Sequence, residues 1–390
     1  MLDTIRNTAL STVLISLGCA AALETATARP GQDVVEETPH IDVVIALDVS
    51  GSMSGLIESA KQRLWDIVNE LGRAQPQPTL RLAILSFGRP AYGADTGYVK
   101  IDLPFTSDLD AVNETLFRFD TEGGDEYVAR VVSASVDDLD WSDDPDALRI
   151  IFVAGNESAT QDPQISLQQA TLAAARAGIV VNTIYCGSDN DEIAGDWRRF
   201  ADRTNGLYAS IDQEAAAVAN IATPMDEELA ALNNALNDTY VMYGEAGERY
   251  RENQVAQDAN AGAMSSAALA SRVVAKAGEL YDATNWDLVD AVEAGKDLEE
   301  IGTADLPAEM QSMNEAERKA YVDEQAQKRE AIRVRIGDLD DARRSYIAEE
   351  RARLAETAGQ SLKDGLNDGL DEALVRGLRS LAEAKGFTFD

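Results

Sequence analysis

The chain has 390 residues, 45% of them hydrophobic, with 69 Asp and Glu against 34 Lys and Arg and a formal net charge of −35. Length and apolar content suffice for two domains with real cores and exclude a largely disordered chain. The charge leaves no material for a broad basic patch, which excludes nucleic acid and anionic lipid surfaces as partners.

In chain order, the first segment is MLDTIRNTALSTVLISLGCAAALETATARPGQ, where Arg6 precedes an apolar stretch too short for a comfortable membrane span. It reads as a signal peptide over residues 1–28, with Ala26-Thr27-Ala28 as the small residues before cleavage and residues 29–39 as a flexible leader. Export to the periplasm or beyond the cell is the expectation, with no transmembrane segment in the mature chain. Gly18-Cys19 would suit a lipoprotein cleavage box, but Ser16 stands where a larger aliphatic residue belongs, so lipidation is the lesser alternative. Removal of Cys19 with the signal leaves Cys186 alone and no internal disulfide.

From residue 40 to 212, short β-branched runs alternate with amphipathic stretches. That alternation predicts an α/β fold, a doubly wound and mostly parallel sheet with helices on both faces. Predicted strands are 41–47, 80–87, 98–105 (Pro-containing, hence an edge), 148–155, 179–187 and 207–211. Predicted helices cover 56–72, 108–119, a stretch from near Glu126, the segment SLQQATLAAARAG and the segment DWRRFADRT. Residues 213–390 lose the strand pattern and predict an all-α region with a long charged helix or helical hairpin over about 314–357. Ile332, Ile336, Leu339, Tyr346 and Leu354 form its apolar stripe, and the leucines from Leu362 to Leu381 mark one further amphipathic helix.

The stretch DVSGSMSG (48–55) directly follows the first strand. In a doubly wound sheet, ligands bind outside the carboxyl ends of the strands, where this loop falls. Asp48, Ser50 and Ser52 alternate, so an extended loop turns a carboxylate and two hydroxyls to one side, hard oxygen donors suited to Mg²⁺, Mn²⁺ or Ca²⁺. The plainer alternative is a strand-to-helix connection in which Ser52 or Ser54 caps the helix.

Asp48-x-Ser50-x-Ser52 after an apolar first strand resembles the metal-ion-dependent adhesion site of von Willebrand factor type A domains, and the likeness covers residues 40–212. The resemblance implies a Rossmann-like sheet, a divalent cation, expected to be Mg²⁺ with Mn²⁺ or Ca²⁺ as alternatives, and a protein partner that offers an acidic residue to the metal. It also implies a second-loop ligand, matched by Asp125 in Glu122-Gly123-Gly124-Asp125-Glu126, and an acid near Gly155, where the oxygen donors are Asn156 and Glu157. The ligand set implied is therefore Asp48, Ser50, Ser52, Asp125 and Glu157. Two direct carboxylates would weaken the pull on a partner's carboxylate. LNDTYVMYG, the Trp286 segment and the long helix resemble the tail of exported bacterial proteins that carry this domain.

Enzymatic constellations fail. The only histidine, His40, opens the first strand while Asp48 ends it, so no Ser-His-Asp triad or His/Cys zinc site can be assembled. No Gly-Lys-Ser/Thr phosphate loop is present, and Asp364-Gly365-Leu366-Asn367-Asp368-Gly369 places a leucine where a calcium loop needs oxygen. The expectation is a non-enzymatic, metal-dependent protein-binding module. Its competitor is a scaffold that self-associates through its C-terminal helices, as a coiled coil, with a degenerate metal site.

Overall fold

The structure, a computed structural model, describes residues 38–210, 221–357 and 370–389. The predicted signal peptide, Cys19, Ile211, Leu362, Leu366 and the Asp364–Gly369 stretch lie outside the described residues.

Residues Thr38–Asp390 form one compact unit. Its centre is a six-stranded sheet of β1 (His40–Asp48), β3 (Thr79–Phe87), β4 (Val99–Thr106), β5 (Leu148–Gly155), β6 (Val180–Tyr185) and β7 (Tyr208–Ser210), in the order β4-β3-β1-β5-β6-β7. All pairings are parallel except that of β4, the Pro-containing edge, with β3. A two-residue strand β2 (Ala74–Gln75) pairs with β8 (Thr388–Phe389) and ties the chain's last residues beside the C-terminal end of helix α1 (Ser54–Leu71). The alternation that predicted strands divides the core. Val43 and Leu47 face one hydrophobic cluster with Trp65, Leu82 and Ile150, while Val44 and Ala46 face the other with Leu85, Val132 and Val153.

Helices α1 and α2 (Leu109–Phe117) cover the first face; α3 (Val128–Asp137), α4 (Leu167–Arg176) and α5 (Ala194–Arg203) cover the second. From β1 the chain winds outward to β3 and β4, and from β5 it winds the opposite way to β6 and β7, so the reversal of order falls between β1 and β5. At such a reversal the loops leaving neighbouring strands diverge and open a crevice.

The C-terminal region comprises α6 (Asp226–Asn237), α7 (Gly247–Met264), α8 (Ser266–Ala277), α9 (Leu288–Glu293), α10 (Glu315–Thr357) and α11 (Leu370–Ala384). The long charged segment is one continuous helix of 43 residues. Its stripe is used internally, with Ile336 and Leu339 buried in the same cluster as Ile41, Leu229 and Val273. Arg329 pins α10 down by donating to Asp287, Asp290 and the Thr239 carbonyl while its guanidinium lies 4.2 Å from the centre of the Tyr240 ring. Leu378 of the predicted leucine stripe is buried as well.

The two halves are also joined by buried charge. Arg272 of α8 donates to Asp110 of α2 at 2.7 Å and to Asp258 of α7 at 2.6 Å, beneath the Trp65 ring of α1. Lys276, one turn on, donates to Asp258 and to Asn233 and Asn237 of α6. Tyr281 completes the set by donating to Asp110 Oδ2 at 2.6 Å. Among the described residues no helix is long and apolar enough to cross a membrane.

Candidate metal centre

Asp48 is the last residue of β1, wholly buried, at the reversal point. Its Oδ1 accepts a hydrogen bond from the Ser50 backbone N–H at 2.7 Å. Its Oδ2 is buried without any partner. A second buried aspartate, Asp42, stands near the other end of the same strand with both oxygens engaged, by Arg81 at 2.8 and 2.7 Å and by the Ser142 N–H at 2.7 Å. Asp42 is thus satisfied by protein donors on both oxygens, whereas Asp48 is satisfied on one.

The hydroxyls follow. Ser50, buried, lies with its Oγ 3.3 Å from Ser52 Oγ, and Ser52 Oγ accepts from Asn156 Nδ2 at 2.9 Å. The N-cap position of α1 falls on Met53, so neither Ser52 nor Ser54 caps the helix and the capping alternative is set aside. The oxygen of the same amide, Asn156 Oδ1, is buried with no hydrogen-bond partner. Asp48 Oδ2 and Asn156 Oδ1 are thus both buried without a hydrogen-bond partner, on residues whose other polar atoms engage Ser50 and Ser52.

Glycines let three loops close on this point. Val49 N–H donates to the Phe87 carbonyl at 2.9 Å and Glu122 N–H to the Val49 carbonyl at 3.0 Å, joining the loops after β1 and β3 to the loop before α3. A Cβ on Gly88, which has φ +91°, would stand 2.9 Å from Asp48 Oδ1 and 3.1 Å from Glu126 Cγ. A Cβ on Gly155 would press between Trp197 and Asp48 Oδ2, at 3.2 and 3.3 Å. Gly155 is where the resemblance expects an acid; the close approach of Asp48 and the buried Trp197 leaves that role to the residues after it. Trp197 in turn donates its ring N–H to the Glu157 carbonyl at 2.8 Å, fixing that loop.

Glu126 therefore borders Asp48 from the second loop, whereas the neighbouring Asp125 is exposed. Glu157 is exposed too, its carboxylate accepting from Gln161 at 3.2 Å. Of the five residues expected as ligands, the structure brings Asp48, Ser50 and Ser52 together and places Asp125 and Glu157 at the rim. Glu126 is the addition, and Asn156, named with Glu157 as a local oxygen donor, joins through its bond to Ser52. Among the described residues no group of three or more His, Cys, Asp or Glu stands ready to hold a metal, so an ion here would depend on hydroxyl and amide oxygens as well as carboxylates.

The electrostatics agree. Burial pushes the Asp48 carboxyl up to about 6, against hydrogen bonding from Ser50 and, more weakly, the Asn156 backbone N–H, and with the added repulsion of Glu157. Burial and the charges of Asp48 and Glu157 push Glu126 up to about 7. Such crowding is what a divalent ion would relieve. Cys186, beside the site at the end of β6, is buried and its thiol is pushed up by that burial, which makes it a small apolar filler rather than a reactive group.

Residues 42–224 match the von Willebrand factor type A domain family. The chain carries a von Willebrand factor type A domain. Domains of this family mediate protein–protein interactions and bind a divalent cation at the metal-ion-dependent adhesion site. Among solved structures, a von Willebrand factor type A protein from Catenulispora acidiphila is 17% identical over 46% of this chain and 40% of its own, with a TM-score of 0.35. Proximal thread matrix protein 1 from the mussel byssus, with a zinc-occupied MIDAS motif, is 11% identical over 45% of this chain and 43% of its own, with a TM-score of 0.37. This chain thus spans less than half the length of either. No curated protein matches it.

The glycine contacts give a direct check. Gly88→Ala is expected to cost about 1–3 kcal/mol of stability, because alanine is strained at this φ. It is also expected to weaken Mn²⁺ binding at least about tenfold by displacing Asp48 and Glu126. Isothermal titration with Mn²⁺ beside thermal unfolding measures both; an unchanged Mn²⁺ affinity would remove Gly88 from the site.

Proposed function

We propose that this protein is an exported, metal-dependent protein-binding module and not an enzyme. Its von Willebrand factor type A domain would hold a divalent cation, Mg²⁺ or Mn²⁺, through Asp48, Ser50 and Ser52, with Asn156 and Glu126 completing the oxygen set. The single observation behind this is the buried Oδ2 of Asp48, which has no hydrogen-bond partner, at the start of the loop whose Ser52 hydroxyl is held by Asn156. When bound, the ion supplies a positive point at the sheet's C-terminal rim to which a partner's oxygen can coordinate.

Each residue has a definite part in that reading. Ser50 N–H holds the Asp48 carboxylate through Oδ1, which would leave Oδ2 for the ion. Gly88 and Gly155 allow the neighbouring loops to approach it. Asn156 aligns Ser52 through its amide N–H. Export rests on the N-terminal sequence, which reads as a signal peptide. Self-association through α10 has less support, because Ile336 and Leu339 are spent on the chain's own core.

Titration of Mn²⁺ followed by electron paramagnetic resonance tests the metal centre. The wild-type chain is expected to bind one ion, and Ser50→Ala to weaken it about 10–100-fold with little change in circular dichroism. Failure of the wild-type chain to bind Mn²⁺ or Mg²⁺ would reject the proposal.

A further inference from the structure

The rim of the centre carries more negative charge than one divalent ion offsets. Around the buried Asp48 stand Glu126, and beyond it the exposed Asp120, Glu122, Asp125 and Glu157. Arg89 is the base drawn into these loops, and it already donates to Asp120 at 2.6 Å and to Glu122 at 3.0 Å. Six carboxylates face one guanidinium, so even with a bound +2 ion this patch stays three charges negative.

A partner's carboxylate reaching for the ion would have to cross that field. An ammonium or guanidinium would be drawn in by it. Uncharged oxygen, such as a backbone carbonyl or a hydroxyl, can still coordinate a cation without adding charge. We infer that the partner surface that completes this centre is basic, presenting lysine or arginine around a neutral oxygen donor rather than the acidic group the family resemblance implies. The inference rests on the metal-binding reading of the same site and adds the chemistry of its partner. The field is local, because Asp120, Glu122, Asp125, Glu126 and Glu157 come from the two loops that flank the Asp48 loop, before α3 and after β5.

The test uses the full chain loaded with Mn²⁺ at physiological ionic strength and two immobilised octapeptides, one alternating Lys with Asn and the other alternating Glu with Asn. The lysine peptide is expected to bind about tenfold or more tightly than the glutamate peptide. The triple variant Glu122→Gln, Asp125→Asn, Glu157→Gln is expected to lose about fivefold or more of that binding. A control with equally many exposed acids neutralised on α10, Glu330→Gln, Asp338→Asn and Glu349→Gln, is expected to lose less than twofold, which separates the rim from the protein's general charge. Preference for the glutamate peptide, binding of neither peptide, or equal losses in the two triple variants would overturn the inference. Direct Mn²⁺ titration of the same samples distinguishes this from failure of the metal centre: an ion bound with no lysine preference sinks the partner chemistry alone, and no ion bound sinks both.

Discussion

Asp48→Asn is expected to abolish Mn²⁺ binding and, in chelator, to make the protein more stable by about 1–3 kcal/mol. Most buried polar substitutions act in the opposite direction. Here the carboxylate is wholly buried and one of its oxygens has no partner. Asparagine keeps the Oδ1 that accepts from Ser50 N–H and discards the buried charge. The elevation of the Asp48 carboxyl from 3.8 to about 6 points to a penalty of similar size, since each pKa unit corresponds to about 1.4 kcal/mol. Saturating Mn²⁺ should reverse the order of stabilities, because it adds about 4.1 kcal/mol at a thousandfold excess over Kd to the wild-type chain alone. Urea unfolding in EDTA and then in Mn²⁺ reads both effects. Asp42→Asn serves as the counterpart: both oxygens of Asp42 are bonded, so the same substitution there is expected to destabilise. Loss of stability for Asp48→Asn in EDTA would show that its carboxylate is already satisfied without a metal.

That pair of aspartates also shows where sequence reasoning reaches and where it stops. Asp42 and Asp48 both sit in the apolar run HIDVVIALD. Only the serines after Asp48 mark it as a donor; what satisfies Asp42 is Arg81, on a neighbouring strand and unrecognisable until the β1/β3 register is known. The sheet was legible because each strand is a short apolar run with its own helix following, a pattern carried locally. The loop after β1 was legible for the same reason. Choosing between Asp125 and Glu126 needed the path of the loop over Gly88, which two adjacent acids cannot reveal. Asn156 was within reach, since an amide directly after a central strand lies at the ligand-binding edge. The intimacy of the two halves was hidden for another reason. In a chain with 69 acidic residues, Asp110 and Asp258 look like any solvated charge. The available signal was on α8, where SAALASRVVAKA sets Arg272 and Lys276 four apart in a helix otherwise made of small and apolar residues.

Arg272→Met is expected to destabilise the protein by about 3–5 kcal/mol, more than any change at the metal centre. The substitution leaves Asp110 and Asp258 buried with less positive charge to face: Lys276 and the Asn233 and Asn237 amides remain for Asp258, and Tyr281 for Asp110. The wild-type network is balanced, two carboxylates against two bases, and its remaining valences are filled by Asn233, Asn237 and the Gln254 carbonyl. Because it joins α2 on the sheet to α6, α7 and α8, the loss should appear as one cooperative transition of the whole compact unit rather than as release of the C-terminal helices. Acid should act on the same point. Burial alone would raise the Asp258 carboxyl, but the charges of Arg272 and Lys276, with hydrogen bonds from Asn237 and Lys276, hold it well below its usual 3.8. A carboxyl depressed on folding contributes stability that is fully present above 3.8 and disappears as pH falls below that value toward its folded pKa. Wild-type stability should therefore drop steeply below pH 4, and Arg272→Met should flatten that drop while lowering the plateau at pH 7. Urea unfolding across this range, followed by tryptophan fluorescence from Trp65 beneath the guanidinium, measures slope and plateau together. A plateau lowered by less than 1 kcal/mol, or two separate transitions in the wild-type chain, would mean that the sheet and the helices are held together by their shared apolar core alone.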